Sequence, residues 1–302
     1  MSILDAIGNT PLVRIDNMNP NPKVIICAKL EGNNPGGSIK DRTALYMVES
    51  AEREGRLTRD KIILEATSGN TGIGLAMVAA AKRYRCKLVM PACVSVERRK
   101  VLEAFGAELI LSPANEATDG AIRLAHQIFA ESPDRYFMPN QFDNPANILA
   151  HYETTGREIL EQTHGTVTHF IAGMGTTGTL MGVGRRLKEH NPAIRIIGVE
   201  PVKGHRVQGL KNMEEAIVPQ IFNPGELDER VIVNDEEAFD TTRRLALQEG
   251  IFVGMSSGAA MHAAISASSS MQSGVIVVLF PDRGDRYLST ALFTSVCGKC
   301  PP

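Results

Sequence analysis

The stretch "KIILEATSGNTGIGLAMVAAAKRY", residues 61–84, decides the fold. It reads as an apolar, β-branched strand, a tight polar loop, and an amphipathic helix that begins near Gly72 and carries Leu75, Ala76, Val78 and Ala79. The loop between them, "TSGNTG", is rich in groups that can hold a small anion. Gly69 and Gly72 let a ligand approach the backbone closely, while Thr67, Ser68, Asn70 and Thr71 supply donors at the positive end of a helix. No G-K-[ST] follows, so a carboxylate suits this seat better than a triphosphate. An ordinary capped turn would draw on the same residue types.

The same unit recurs along the chain. Short apolar runs at "KVIICAKL", "KLVMP", "AELILS", "VTHFIAG", "IRIIGVE" and "GVIVVLF" are separated by helical patterns such as "ERRKVLEAFGA", "GAIRLAHQIFAE" and "DTTRRLALQEG". That alternation predicts an α/β fold with twisted, mostly parallel sheets flanked by helices, in which ligands gather at the carboxyl ends of strands. A length of 302 residues accommodates two domains. The turn-rich segments "NQFDNPAN" (140–147) and "FNPGELDE" (222–229) are connectors, the first being the domain-boundary candidate.

Two further strand-to-helix loops carry chemistry. In "VTHFIAGMGTTGTLMGVGRRLKEH" (167–190), Gly173, Gly175 and Gly178 satisfy G-x-G-x-x-G, and Glu200 ends the next strand about 22 residues on, where a dinucleotide ribose is held in NAD-dependent oxidoreductases. Against that reading, Thr176, Thr177 and Thr179 suit a compact phosphate dianion, and Pro201 follows the acid directly. The third loop, in "EGIFVGMSSGAAMHAAISAS", offers Ser256 and Ser257 at a helix start, where capping is their simplest role.

"NNPGGSIKDRTAL" (33–45) raises a different question, because it places Lys40 in the first turn of a helix. Ser38 is the expected N-cap and Asp41, three residues on, completes an imperfect capping box. A cation at that end meets the partial positive charge of exposed backbone N–H groups, with Arg42 two residues away, and such a field lowers an amine's pKa. A solvated surface lysine is the alternative.

Composition narrows the classes. A net charge of -2 gives no electrostatic case for nucleic acid or an anionic membrane. No apolar run reaches the roughly 18 residues of a membrane span, and the start lacks a basic segment followed by an apolar signal core, so a cytoplasmic protein is expected. Five scattered cysteines are no disulfide framework. Cys297 and Cys300 form a C-x-x-C suited to a redox pair or half a zinc site, but no second pair completes a cage, and no metal is expected.

Taken in order, "IGNTPLV" (7–13), "KLEGNNPGGSIKDR" (29–42), "EATSGNTGI" (65–73), "GMGTTGT" (173–179), "GMSSGA" (254–259) and "DRGDRYLST" (282–290) resemble the fold-type II pyridoxal phosphate enzymes, the tryptophan synthase β-like group. Within that group the chain is similar to the cysteine synthase (O-acetylserine sulfhydrylase) family over nearly its whole length. The resemblance implies that Lys40 forms the Schiff base with pyridoxal 5'-phosphate and is the catalytic base. It implies that Gly175, Thr176, Thr177, Gly178 and Thr179 hold the cofactor phosphate, that Asn70 contacts the ring hydroxyl, and that Ser256 faces the pyridine nitrogen. Thr67, Ser68, Gly69, Thr71 and Gln141 would bind the amino-acid substrate. The implied reaction is a β-replacement through an aminoacrylate, in which O-acetylserine loses its acetoxy group as acetate and sulfide or thiosulfate adds, giving cysteine or S-sulfocysteine. Family members are homodimers in which a smaller, movable domain, here 1–12 with 35–145, closes on a larger one, here 13–34 with 146–302.

The sequence resembles the B type of cysteine synthase more than the A type. "PDRGDRYLST" carries Asp282 and Arg283 where A-type enzymes are similar to "SSGERYLST", a wall that would admit bulkier or differently charged sulfur donors. Lys211, in "HRVQGLKNMEEAIVP", stands where some B-type enzymes have an arginine that selects the substrate, O-phosphoserine in some branches, and is expected at the mouth of the site. An O-phosphoserine-dependent synthase, a cystathionine β-synthase-like enzyme, a serine dehydratase, the NAD oxidoreductase and a redox protein built on Cys297 and Cys300 are the competing readings.

Overall fold

The computed structural model describes residues 1–67, 69–92, 94 and 96–293. The chain divides into two units, one of Met1–Gly8 with Asn34–Ala150, the other of Asn9–Asn33 with His151 onward.

The first unit holds a four-stranded parallel sheet of β3 (Ile62–Ala66), β4 (Arg85–Pro91), β5 (Glu108–Ser112) and β6 (Tyr136–Phe137), in the order β5-β4-β3-β6. Its helices are α1 (Lys40–Arg53), α2 (Asn70–Lys82), α3 (Val96–Ala104), α4 (Ala117–Glu131) and α5 (Pro145–Ala150). Helices cover both faces, which explains why the strands read as unbroken apolar runs. Ile63, Leu75, Val78, Leu88 and Met47 form the core on the α1 and α2 face, while Ile62, Leu64 and Val89 pack with Ala121 and Ala125 of α4 on the other. Every residue of β3 is buried, and among them Glu65 is the one charged side chain.

The topology places the loops. From β3 the chain steps outward to β4 and β5, then returns to the far side of β3 as β6. The order therefore reverses at β3, and the crevice at the carboxyl ends of β3 and β6 is the position at which open α/β sheets bind ligands.

The second unit repeats this plan on a larger scale. Its sheet runs β1 (Leu12–Ile15), β2 (Val24–Leu30), β10 (Gly274–Phe280), β7 (His169–Gly173), β8 (Arg195–Pro201) and β9 (Glu229–Val233), with only β1 antiparallel. The helices are α6 (Gly156–Gln162), α7 (Gly178–His190), α8 (Asp235–Glu249) and α9 (Met255–Ser270). Ile26, Ile171 and Val278 of the sheet pack with Ala260 and Ala264 of α9. Here the order reverses at β7, with β8 and β9 on one side and β10 on the other, so the loops after β7 and β10 share a switch point.

The seven expected strands are all present. The sequence reading did not anticipate β1, β6 or β9, which are short or lie at sheet edges, where an apolar run is not required. Among the described residues no helix is long and apolar enough to cross a membrane, and no His, Cys, Asp and Glu cluster could hold a metal ion. Cys297 and Cys300 lie outside the described residues.

Candidate active site

In the first unit, Lys40 is the first residue of α1. The N-cap is Ile39, not Ser38, yet the Ser38 Oγ still accepts the Lys40 N–H at 3.2 Å. Asp41 does not complete a capping box; its carboxylate turns back to accept the Gly36 N–H at 2.6 Å. A Cβ at Gly36 would fall 2.5 Å from that carboxylate, and Gly37 takes a φ of 81°, so both glycines are needed for the turn that delivers Lys40. From the other side, α2 crosses α1 at Gly74, whose Cβ position lies 2.9 Å from the Lys40 carbonyl oxygen. The Lys40 N–H is thus held by Ser38, and its carbonyl lies where α2 approaches without room for a side chain.

The loop after β3 leads into α2, which begins at Asn70, two residues earlier than the sequence pattern suggests. Gly69 is the N-cap, and the Gly72 N–H already bonds the Gly69 carbonyl at 3.1 Å, so Asn70 and Thr71 sit within the first turn. The Thr67 N–H is tied to the Val89 carbonyl at 2.9 Å, and the Gly69 N–H reaches the Thr67 Oγ1 at 3.4 Å. A Cβ at Gly69 would meet nothing within 4 Å, so the space above it is open. Across the switch point, the loop after β6 brings Gln141 to Thr71: the Thr71 hydroxyl donates to Gln141 Oε1 at 2.6 Å, both side chains being buried. Ser68 lies outside the described residues.

Gln141 is held from behind. Its carbonyl accepts from Asn147 Nδ2 at 2.8 Å, and Glu65 Oε2 accepts the N–H of Asn140 at the same distance, with the Gln141 backbone as a second donor to that carboxyl. Burial pushes the Glu65 pKa up to about 8 against those two backbone bonds, and Asp143 nearby raises it further. Burial also lifts the Cys86 thiol to about 12, so it is inert as a nucleophile.

In the second unit, Gly175 to Thr177 lead from β7 into α7, whose first two residues are Gly178 and Thr179. Thr177, the N-cap of α7, has a φ of 65°, a left-handed conformation rare for a β-branched residue. Thr176, Thr177 and Thr179 are all buried. Gly175 is cradled by the turn at Gly209: a Cβ on it would lie 2.7 Å from the Gly209 carbonyl oxygen, and Gly209 itself has a φ of 90°. The next residues of that turn continue along the loop, the Lys211 N–H donating to the Met174 carbonyl at 2.8 Å. Lys211 is therefore brought to the threonine loop by its backbone.

Ser256 reaches the same turn, its Oγ lying 3.9 Å from the Cβ position of Gly209. The expectation that Ser256 and Ser257 cap α9 is corrected: the N-cap is Gly254, and both serines lie buried within the first turn. The Ser257 Oγ has no hydrogen-bond partner among the described residues. Gly254 is confined by Asp282, whose Oδ1 would be 2.3 Å from an added Cβ. Asp282 is itself buried and accepts the Tyr287 hydroxyl at 2.5 Å, whereas Arg283 is exposed and pairs with Asp285 at 3.3 Å. Of the two residues that distinguish this wall, only Arg283 faces solvent.

Glu200 is not available to a ribose. It is buried, pairs with Arg230 and accepts the Met213 N–H at 2.7 Å, which removes the acid on which the dinucleotide reading depends.

Residues 3–282 match the family described as "Pyridoxal-phosphate dependent enzyme". The chain belongs to that family. Among its relatives, this pyridoxal-phosphate-dependent enzyme is 48% identical to the cysteine synthase of Aquifex aeolicus over 97% of its own length and 92% of the relative's. It is 45% identical to the cysteine synthase B of Pseudomonas aeruginosa, with 97% of each chain covered. Among solved structures, O-ureido-L-serine synthase superposes with a TM-score of 0.92 at 43% identity, covering 98% of this chain and 95% of that one. The cysteine synthase of Entamoeba histolytica gives 0.92 at 38% identity, covering 96% and 90%.

The residues present fit pyridoxal phosphate. Three buried threonines, a backbone cradle at Gly175 too tight for any side chain, and the N-terminus of α7 offer hydroxyl and backbone donors of the kind a phosphate monoester requires. The unpartnered Ser257 hydroxyl beside Ser256 adds polar capacity on the same unit. Two residues of this enzyme escaped the sequence reading. His151, fully buried in a π-helical turn (His151–Thr155), has Nε2 3.3 Å from the Thr179 Oγ1 and Nδ1 3.0 Å from the Thr155 Oγ1. Nothing in "HYETT" announces it. Glu65 did carry a signal, as a carboxyl in an otherwise apolar strand.

Proposed function

We propose that this enzyme is a cysteine synthase that replaces the acetoxy group of O-acetyl-L-serine, released as acetate, with sulfide or thiosulfate. The observation that carries the reading is the pairing, within one unit, of Lys40 at the first position of α1 with a Thr71–Gln141 seat at the switch point of the sheet. The cysteine synthases among the relatives support cysteine formation as the reaction class.

Pyridoxal phosphate, when bound, supplies the electron sink that makes the substrate Cα–H acidic and lets the β-substituent leave. Lys40 would be the residue that holds the cofactor covalently, and its free Nζ would be the base that takes the proton from the substrate Cα and later returns it. Thr67, Ser68, Gly69, Thr71 and Gln141 bind and orient the substrate carboxylate, so that the Cα–H bond is presented in one direction. Gly175, Thr176, Thr177, Gly178 and Thr179 would hold the phosphate, and Asn70 would contact the ring hydroxyl. Ser256 would face the ring nitrogen as a neutral hydroxyl, which, unlike a carboxylate, would not enforce a proton there and so would favour β-elimination. Lys211 bears on the choice of acceptor; as a lysine it provides charge without the bidentate fork of an arginine. The assembly is a homodimer, which light scattering would register as twice the chain mass.

The test is to supply the purified holoenzyme with O-acetylserine or O-phosphoserine, each with sulfide or thiosulfate, and to measure cysteine or S-sulfocysteine. Product from O-acetylserine supports the reading; product from O-phosphoserine alone, or from neither, overturns it.

A further inference from the structure

We propose that Glu65 is a positioning residue for the substrate carboxylate: by accepting the backbone N–H groups of Asn140 and Gln141 it sets the Gln141 side chain against Thr71. This inference rests on the proposed carboxylate seat. Glu65 stands at the penultimate position of β3, two residues before Thr67, and is 4% exposed. Its Oε2 lies 2.8 Å from the Asn140 nitrogen, and Gln141 is the other backbone donor. Asn140 takes a φ of 49°, which turns the chain so that successive N–H groups point back at one acceptor. From the same short segment, the Gln141 Oε1 accepts the Thr71 hydroxyl at 2.6 Å. One carboxyl thus fixes the backbone whose side chain completes the seat, while Asn147 Nδ2 holds the Gln141 carbonyl from the far side at 2.8 Å.

A buried carboxyl is costly in an apolar strand unless its hydrogen bonds repay its desolvation, and a hydrophobic residue would serve packing alone better. Two titratable groups act on Glu65: Asp143 of the same loop and Cys86 on β4. The α4 helix packs on the opposite face through Ala121 and Ala125, and the lysine of α2, Lys82, is engaged with Glu49 and Glu52. With its pKa near 8, Glu65 is mainly neutral at pH 7, so a glutamine, with the same reach and a carbonyl acceptor, reproduces its bonds.

The test compares Glu65→Gln, which keeps the reach, with Glu65→Asp, which shortens it by one methylene. Two readouts are taken on the holoenzymes: steady-state kinetics with O-acetylserine, and calorimetric binding of L-alanine, an amino acid with a carboxylate but no leaving group. Glu65→Asp is expected to raise the acceptor KM and the L-alanine Kd at least about tenfold, with kcat within about twofold, and Glu65→Gln to stay within about twofold in all three. In a Gln141→Ala background, Glu65→Asp is expected to add less than about twofold, because its effect runs through Gln141. Equal losses in both variants, a fall in kcat without a change in KM, or an undiminished effect of Glu65→Asp when Gln141 is absent would overturn the inference. If the wild type binds L-alanine but makes no cysteine, the proposed function fails while the L-alanine comparison still decides the role of Glu65.

Discussion

The Cβ position of Gly74 lies 2.9 Å from the carbonyl oxygen of Lys40. A methyl group there has no room, because the obstacle is backbone rather than the free end of a side chain, and the Ala44 Cβ stands 3.1 Å away on the same helix. Glycine costs a helix about 1 kcal/mol relative to alanine, so its presence inside α2 reflects the approach of α1. Gly74→Ala is expected to forfeit that propensity gain to overpacking worth about 1–3 kcal/mol, and to displace the turn that carries Lys40. Urea denaturation should show a net loss of stability, and cysteine formation should fall. Gly184 in α7 is the control: its Cβ would make ordinary 3.4 Å contacts with Ile196, so Gly184→Ala should leave stability unchanged or improved.

Thr177 holds a left-handed backbone, with φ 65°, at the start of α7. A β-branched residue in that conformation stores strain on the order of 1–3 kcal/mol, and its buried hydroxyl donates to the Thr176 carbonyl at 2.6 Å, within the loop proposed to hold the phosphate. Thr177→Gly should therefore raise the melting temperature of the cofactor-free protein while weakening its affinity for pyridoxal phosphate about tenfold. A thermal melt and a cofactor titration separate the two effects. Loss of stability with unchanged affinity would remove Thr177 from the seat.

Glu65 imposes a pH dependence on stability whose sign follows from its pKa. In the unfolded chain the carboxyl titrates near 4.5, in the native protein near 8, so above pH 4.5 the unfolded state ionises while the native state still holds its proton. Stability is therefore fully present below about pH 4.5 and declines as pH rises through about 8, by at most about 5 kcal/mol for such a shift. Glu65→Gln does not titrate. Denaturation midpoints at pH 5 and pH 8.5 should show the variant gaining on the wild type at the higher pH; parallel curves would contradict the assignment.

Much of this architecture was readable because each strand, loop and helix is local. The segment 61–84 displays its strand, its glycines and its hydroxyls within 24 consecutive residues, and Lys40 announces itself by standing at the wrong end of a helix for a cation. What the sequence hid was distant or conformational. Gln141 meets Thr71 only because the two-residue strand β6 pairs beside β3, and a strand so short leaves no periodic trace. The sequence pattern places the start of α2 two residues late because its N-cap is a glycine, which offers no capping side chain as a signal. His151 reaches Thr179 through a π-helical turn, and the turn at Gly209 depends on a φ of 90° that a single glycine in a loop does not advertise. Glu200 illustrates the converse: the spacing of a dinucleotide fingerprint was present, but the acid is consumed by Arg230 and the Met213 N–H.

The most direct test of the central claim is chemical. The purified protein should absorb visible light through cofactor bound to one lysine, and borohydride reduction followed by peptide mapping should find the pyridoxyl group on Lys40, with the visible band lost in Lys40→Ala. A colourless protein that takes up no cofactor, or a pyridoxyl group recovered on another lysine, would contradict it.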